Sequence, residues 1–364
     1  MPLLCGRDEV VEVETVLWQS YEVYCVVFDY YASLGGNMHA LGLNVWTQFL
    51  TDFNLVQKRS KFCKQSDMDR LFLAVDTAST RLEKKQAALG GLAQMAAFDD
   101  AQKALNRTEF LFALILLSIN RYVLPGKIVD VSEALQRLLD VDIQSRVGPS
   151  LLAPSNHFRR SHCYTEGVSE ELLEKERELR LLFTVVSGGG RGREAELLSL
   201  KEWKDMLRAL NLIQADLTDR DATLCFVWSR MVVIDPRTRL GHLKESHLPF
   251  EGFLEAICRL AILKGLPTDR EIEASEWYSD ESPIDAAEYF ERFSNDSPDE
   301  YQAFIEEHAT PWGGTPQQPT HRCVAHLVSI IIRTIKVISA GNPETPLSQH
   351  DVEKWAKKAK LCSS

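Results

Sequence analysis

The chain has 364 residues, of which 45% are hydrophobic, so it is long enough for two domains with real cores and is not wholly disordered. Its formal net charge of −11 argues against nucleic acid or an anionic membrane as the main partner, because both need a basic face. No apolar run predicts a transmembrane helix, and the N-terminal residues lack the pattern of a secretory signal, so we expect a cytoplasmic protein.

The first predicted domain covers residues 1–144 and contains four helices. Its first helix includes YCVVFDYY, residues 24–31, and ends at a glycine-rich turn. Its second helix, predicted from LGLNVWTQFLTDFNLV at residues 41–56, has apolar residues at i, i+3, i+4 and i+7, which gives it one buried face. The residues of this face are Trp46, Phe49, Leu50 and Phe53. We expect Asn44 to cap this helix.

The third and fourth helices of this domain are predicted from SDMDRLFLAV, residues 66–75, and NRTEFLFALILLSINRY, residues 106–122. Ser66 precedes an acidic residue and is expected to start the third helix, and Phe72 falls on its buried side. An insertion of residues 76–104 separates the two helices. It is rich in Ala, Lys and Gln around two glycines, which predicts a broken, solvated helix.

Residues 145–168 are predicted to link two domains, because they contain two prolines and a cluster of basic residues. An extended basic linker is suited to an acidic partner such as tubulin, and a purely solvated linker fits the same residues. The residues proposed for partner binding are Arg146, Arg159 and Arg160. His157 and His162 lie near Cys163 without the spacing of known zinc sites, so we predict reduced, packed cysteines and no metal.

The second predicted domain, residues 169–268, repeats the four helices of the first in the same order. The matched pairs are Phe28 with Phe183, Trp46 with Trp203, Leu50 with Leu207, Phe72 with Phe226, and Phe110 with Phe253. Ser199 and Thr218 are expected to begin its second and third helices. We therefore predict an all-α fold with two tandem EF-hand-like four-helix lobes, each a pair of helix–loop–helix units. The alternative is a generic helical bundle with coincidental patterning.

Residues 269–364 are predicted to extend the second domain with further helices. An acidic segment with many aromatic residues, 269–307, is suited to packing on a lobe or on a partner, and a Pro/Gly-rich stretch, 309–320, follows it. An apolar helix is expected at 321–338, docked either on its own lobe or on a partner. A short basic helix is expected at 352–361.

The predicted loops lack most ligands of a calcium-binding EF-hand loop, which needs several oxygen ligands within twelve residues and a bidentate Glu at the twelfth. The apolar anchors at position eight are Leu41, Leu105, Leu198 and Leu248. The residues then at position one are Leu34, Phe98, Arg191 and Gly241. The best-placed acidic residues are Asp100, Glu109 and Glu202, and we expect the two glutamates to cap helices or lie at the surface. We predict no metal and no cofactor.

Two motifs of the second lobe resemble those of known families. LSLKEW, residues 198–203, and FLEAICRLA, residues 253–261, are similar to recurring motifs of EF-hand-like proteins of cilia and flagella. The second motif is also similar to the FxxALxxLA helix of the tubulin polymerisation-promoting protein family, whose EF-hand fold is degenerate. The tubulin polymerisation-promoting family normally has one such unit pair and a basic, disordered tail, whereas this chain has two predicted lobes and is acidic, so the axonemal group fits better. The resemblance implies a rigid structural piece bound to doublet microtubules.

The sequence contains no glycine-rich phosphate loop, no nucleophile elbow and no metal-ligand pair, so we do not expect an enzyme. The leading hypothesis is a structural protein of the ciliary or flagellar axoneme, such as a microtubule inner protein, whose calcium-independent lobes bind tubulin or doublet-microtubule proteins. The alternative is a soluble calcium-responsive regulatory adaptor. A third hypothesis is a cytosolic helical scaffold unrelated to microtubules, and it differs from the first only in its partner.

Overall fold

The computed structural model describes residues 7–35, 38–88, 103–148, 155–188, 197–231, 239–341 and 345–361. These residues are mostly helical, which confirms the all-α class. Contacts between Cα atoms divide the chain into two compact units, Met1–Leu152 and Ala153–Ser364. The boundary between the units falls inside the segment that we predicted to be a linker.

The first unit contains six α-helices and one short antiparallel strand pair among its described residues. The helices are α1 Arg7–Gln19, α2 Tyr21–Leu34, α3 Leu43–Asp52, α4 Gln65–Ala88, α5 Arg107–Ser118 and α6 Val131–Arg137. Strand β1, Ala40–Gly42, pairs with β2, Ala104–Asn106. The π-helical stretches Ile119–Val123 and Leu138–Ile143 continue α5 and α6.

The described part of the second unit contains twelve α-helices and a second strand pair. The helices are α7 Ser155–Phe158, α8 Glu166–Glu174, α9 Glu176–Val186, α10 Leu200–Ala209, α11 Asp219–Trp228, α12 Arg239–Ser246, α13 Phe250–Leu263, α14 Asp269–Glu273, α15 Ala286–Asp296, α16 Pro298–His308, α17 Thr320–Ser339 and α18 Gln349–Lys358. Strand β3, Leu198–Ser199, pairs antiparallel with β4, His247–Leu248. The helices predicted for the repeat are all present, as α2 to α5 and as α9, α10, α11 and α13.

The second helix of each repeat ends in the same way. Asn54 and Asn211 follow α3 and α10 with φ angles of 50° and 54°, in the left-handed region that asparagine tolerates. The backbone N–H of Leu55 then donates to the carbonyl of Leu50 at 2.8 Å, and the equivalent bond in the second repeat is 2.9 Å long. This closure satisfies a carbonyl at the helix end and turns the chain towards the third helix.

A buried tryptophan joins the second helix of each repeat to the third. The Nε1 of Trp46 donates to the carbonyl of Met68 at 3.3 Å, and the Nε1 of Trp203 donates to that of Ala222 at 2.8 Å. In each repeat, a phenylalanine of the fourth helix packs edge to face against the indole. Each core therefore has a tryptophan–phenylalanine pair at its centre. The ring centroids are 6.4 Å apart in Trp46–Phe110 and 6.1 Å apart in Trp203–Phe253.

Two of the predicted helix starts are wrong. Asn44 lies inside α3, whose N-cap is Gly42, because β1 keeps the backbone extended up to that glycine. Ser66 lies inside α4, which begins one residue earlier, and the Asp67 carboxylate accepts from the N–H of Lys64 instead. The confirmed caps are Ser199 and Thr218.

Residues 145–168 are not an extended linker where the structure describes them. Helix α7 is followed by a π-helical stretch, Arg159–Cys163, and then by α8. Cys163 and Val168 are buried, so burial of their side chains holds this segment on the second unit. In the insertion, α4 continues as far as Ala88, and the two glycines behind it lie outside the described residues.

The C-terminal extension packs on its own unit. Helix α17 contacts α8, α13, α15 and α18, and α18 contacts α9. The sequence left open whether the apolar helix docks on its own lobe or on a partner. In the structure, this helix, α17, docks within its own unit. The buried apolar residues of α17 recur every three or four positions and include Val324, Leu327, Ile331 and Ile335.

Candidate functional site

Short strand pairs connect the two helix–loop–helix units within each half of the chain. Leu41 lies opposite Leu105, and Leu198 lies opposite Leu248. These are the four residues that anchor position eight of the predicted loops, and all four are buried. In each half, backbone hydrogen bonds of the strand pair therefore couple one loop to the other.

The glutamates predicted for the twelfth loop position cap helices. The N–H of Asn106 donates to Glu109 Oε2 at 2.7 Å, and the N–H of Ser199 donates to Glu202 Oε2 at 2.8 Å. In return, the side chains of Asn106 and Ser199 accept from the N–H groups of these glutamates. Both glutamates thus complete capping boxes, of α5 and α10 respectively. Helix capping is one of the two roles that we expected for them.

The remaining loop positions supply little for a cation. Leu34 ends α2 and Gly241 lies in α12, and neither has a side-chain oxygen. Phe98, Asp100 and Arg191 lie outside the described residues. Within the described ranges, no group of three or more His, Cys, Asp or Glu side chains is placed to hold a metal ion.

Arg146, the first residue proposed for partner binding, is engaged within its own unit. Its Nη1 donates to the carbonyl of Phe53, the C-cap residue of α3, and to the carbonyl of Asp142 at 3.3 Å. The same nitrogen lies 3.9 Å from the Asp142 carboxylate. A cation at the end of a helix stabilises the helix dipole, so this side chain has a structural role.

Arg159 is also engaged, whereas its neighbour Arg160 is exposed. The Nε of Arg159 lies 2.8 Å from Glu255 Oε2, and its Nη2 donates to the carbonyl of Arg230 at 3.3 Å. Arg160 makes no side-chain hydrogen bond or ion pair within the described part of the chain. Of the three predicted arginines, Arg160 alone presents a guanidinium without a described partner.

A buried ion pair in α13 was not predicted from the sequence. Arg259 is 1% exposed, and its Nη2 lies 2.7 Å from Glu255 Oε1. Its Nε donates to Ser229 Oγ at 3.2 Å, and its guanidinium carbon lies 4.0 Å from the ring centroid of Phe158. Burial lowers the pKa of Arg259, and the carboxylate opposes that effect. The i, i+4 spacing in FLEAICRLA indicates an ion pair, but it does not indicate that the pair is buried.

Each unit places a buried cation just after the fourth helix of its repeat, α5 or α13, facing the connection that follows the second helix of the repeat, α3 or α10. In the first unit, Arg121 Nη1 donates to the carbonyl of Leu55 at 2.8 Å, and its Nε lies 3.1 Å from Asp142 Oδ2. In the second unit, Lys264 Nζ lies 2.8 Å from Asp216 Oδ1. These contacts fix the orientation of the second helix against the fourth in both halves.

An apolar groove of about 220 Å³ lies in the second unit between the connection after α10 and helices α15, α16 and α17. Arg333 of α17 closes one side, with its Nε 2.6 Å from Glu291 Oε2. Polar side chains such as Asn211 and Gln214 also line the groove, and its aliphatic and phenylalanine residues are Leu210, Leu212, Ala287, Phe290, Ile330, Val337 and Ile338. Chemically, the groove is suited to an apolar side chain.

The described cysteines are free thiols. Cys25 is half-buried, and the others are buried, as expected for cysteines that pack as small hydrophobic residues. The buried ones are Cys63, Cys163, Cys225, Cys258 and Cys323. Cys5 and Cys362 lie outside the described residues.

No protein-family model, no curated protein and no solved structure matches this chain. The case for its function therefore rests on its own residues. None of the described helices combines the length and the apolar character needed to cross a membrane.

Proposed function

We propose that this protein is a non-catalytic structural protein of the ciliary or flagellar axoneme, with two EF-hand-like lobes that bind tubulin or doublet-microtubule proteins without calcium. The observation that carries the proposal is the register of the strand pairs. Leu41 opposite Leu105 and Leu198 opposite Leu248 are the pairs that two EF-hand loops would form at their eighth positions. A generic helical bundle gives no reason for this register to occur twice.

Support for calcium independence comes from the loop chemistry. The carboxylates of Glu109 and Glu202 complete capping boxes, and Leu34 and Gly241 offer no side-chain oxygen at the first position. A calcium ion is bound by six to eight oxygens, so a loop without these ligands does not offset the dehydration of the ion.

Support for a structural role comes from what the two motifs do. Ser199 and Trp203 of LSLKEW form a helix cap and a buried hydrogen bond. Phe253, Glu255 and Arg259 of FLEAICRLA form the aromatic centre and the buried ion pair. The residues that resemble axonemal proteins therefore belong to the core of this unit, and α17 and α18 pack against its helices α13 and α9. Partner contacts of this lobe are then expected on its outer surface.

The test is extraction of ciliated or flagellated cells that express the tagged protein. Detergent and then high salt remove membrane and matrix proteins and leave the axoneme. We expect the protein to remain in the salt-washed axonemal pellet both in calcium and in a calcium chelator. Release by detergent alone would contradict the axonemal proposal. Release that depends on calcium would support the regulatory adaptor instead.

A further inference from the structure

The face formed by α1 and the start of α2 exposes two large aromatic side chains. Trp18 is 78% exposed and Tyr21 is 48% exposed, and their rings stack with centroids 6.1 Å apart. Val11, two helical turns before Trp18, is 53% exposed on the same face. Tryptophan and tyrosine contribute a large share of the binding energy at protein interfaces, and a tryptophan this exposed is unusual in a core-forming helix.

This aromatic stripe is not the face that holds α1 on its unit. Val13 and Val16 are buried on the other side of the helix, and α1 packs there against α6. Burial of the opposite face anchors the helix, so Val11, Trp18 and Tyr21 point away from the core.

The chain on either side of the stripe is rich in acidic residues, and the one basic residue of α1 is its first residue, Arg7. Residues 8–57 contain seven Asp and Glu and no Lys or Arg. Glu12, Glu14 and Glu22 are exposed beside the stripe, and the hydroxyl of Tyr21 donates to Glu22 Oε1 at 3.2 Å. An acidic surface repels nucleic acid, anionic lipid and acidic peptides, and it attracts cationic segments.

We propose that the stripe of Val11, Trp18 and Tyr21, with its flanking carboxylates, is a docking surface for a basic amphipathic segment of a partner protein. Lys and Arg of such a segment pair with the carboxylates and stack on the indole, which is the best aromatic ring for a cation. Its apolar residues cover Val11 and the edge of Trp18. The inference goes beyond the proposed function, because it concerns another partner chemistry and holds whether or not that partner is axonemal.

The test measures binding of a fluorescein-labelled helical peptide of Leu and Lys to the full-length protein by fluorescence anisotropy. We expect saturable binding of one peptide per protein, weakened about tenfold or more by Trp18→Ala and by Tyr21→Ala. Because both side chains are exposed, the variants should melt like the wild type. Glu12→Gln combined with Glu14→Gln should weaken binding and reduce its dependence on salt.

Matched controls separate this docking surface from general attraction to an acidic protein. Val129→Ala and Leu173→Ala remove side chains that are 90% and 68% exposed elsewhere, and both should leave the affinity unchanged. Equal affinity of the Trp18→Ala variant and the wild type would overturn the proposal, as would several peptides bound per protein. Equal or tighter binding of a Leu and Glu peptide, or of anionic vesicles, would overturn it too. None of these outcomes bears on axonemal retention, so the two proposals fail separately.

Discussion

Buried charged side chains are those whose structural roles differ most from the roles that the sequence pattern indicates. Glu255 accepts from two arginines, Arg159 and Arg259, and its own side chain is 4% exposed. A carboxylate shared in this way connects helix α13 with the segment that follows α7, in a region that excludes water. Removal of the carboxylate leaves two guanidinium groups without their partner, which is more costly than loss of a surface ion pair.

We therefore expect Glu255→Ala to lower the free energy of unfolding by about 3–5 kcal/mol, measured by urea denaturation. Glu176→Ala is the control, because it removes an i, i+4 pair with Arg180 in which both side chains are about half exposed. The control should change the free energy by less than about 1 kcal/mol. If both substitutions lower the free energy of unfolding equally, the buried ion pair stabilises the protein no more than the exposed pair does.

Asp269 ties α14 to α17 in a manner that depends on pH. Arg322 donates two hydrogen bonds to the carboxylate, at 2.8 Å and 2.7 Å, and His326 Nε2 lies 2.9 Å from it. The hydrogen bond from Arg322 lowers the pKa of Asp269 below its ordinary value. Because the folded-state pKa is the lower one, the contribution is present above the unfolded pKa of about 4 and is lost as the pH falls through the folded value.

Asp269→Asn should consequently destabilise the protein at neutral pH, and the difference from wild type should narrow as the pH falls below about 4. Urea denaturation across this pH range measures the difference. Asp280→Asn removes an exposed carboxylate and should have little effect at any pH. If the difference in free energy of unfolding between Asp269→Asn and the wild type stays constant with pH, the stabilising role of the ionised Asp269 carboxylate is contradicted.

The helices beyond residue 268 belong to the second unit rather than forming a separate tail. Trp355 of α18 is fully buried, and α18 packs against α9 and α17. Local pattern predicted helices here, but it described the last one only as a basic helix at 352–361, whereas α18 is Gln349–Lys358 and buries Val352, Trp355 and Ala356. It did not predict which surface they cover, because packing between distant elements leaves no periodic signal in either of them.

Trp355→Ala should lower the free energy of unfolding by about 3–5 kcal/mol, because it empties a large core site. The Trp355 Nε1 has no hydrogen-bond partner among the described residues, so Trp355→Phe should cost much less. Lys357→Ala changes an exposed neighbour and is the second control. Thermal and urea unfolding of the three variants measure these effects. If Trp355→Ala unfolds like the wild type, α18 does not contribute to the folded unit.

The two units have the same kind of aromatic pair at the centre of their cores, but different helices pack around it. In the first unit, α6 packs on α5, and α1 packs on α6. In the second unit, α17 packs on α13, and α18 packs on α9. The repeated helices therefore account for the similar cores of the two units, and the helices outside the repeat account for the difference in what packs around them.

The sequence alone predicted the repeated helices, because apolar spacing acts between residues close in the chain. Only the tertiary structure decided which polar groups are buried and which aromatic residues stay in water. Glu255 and Arg259 have the spacing of a surface pair and are enclosed by Phe158 and Ser229. Trp18 lies in a helix like the core tryptophans but faces outward. Burial depends on neighbours that come from distant parts of the chain, so local pattern does not specify it.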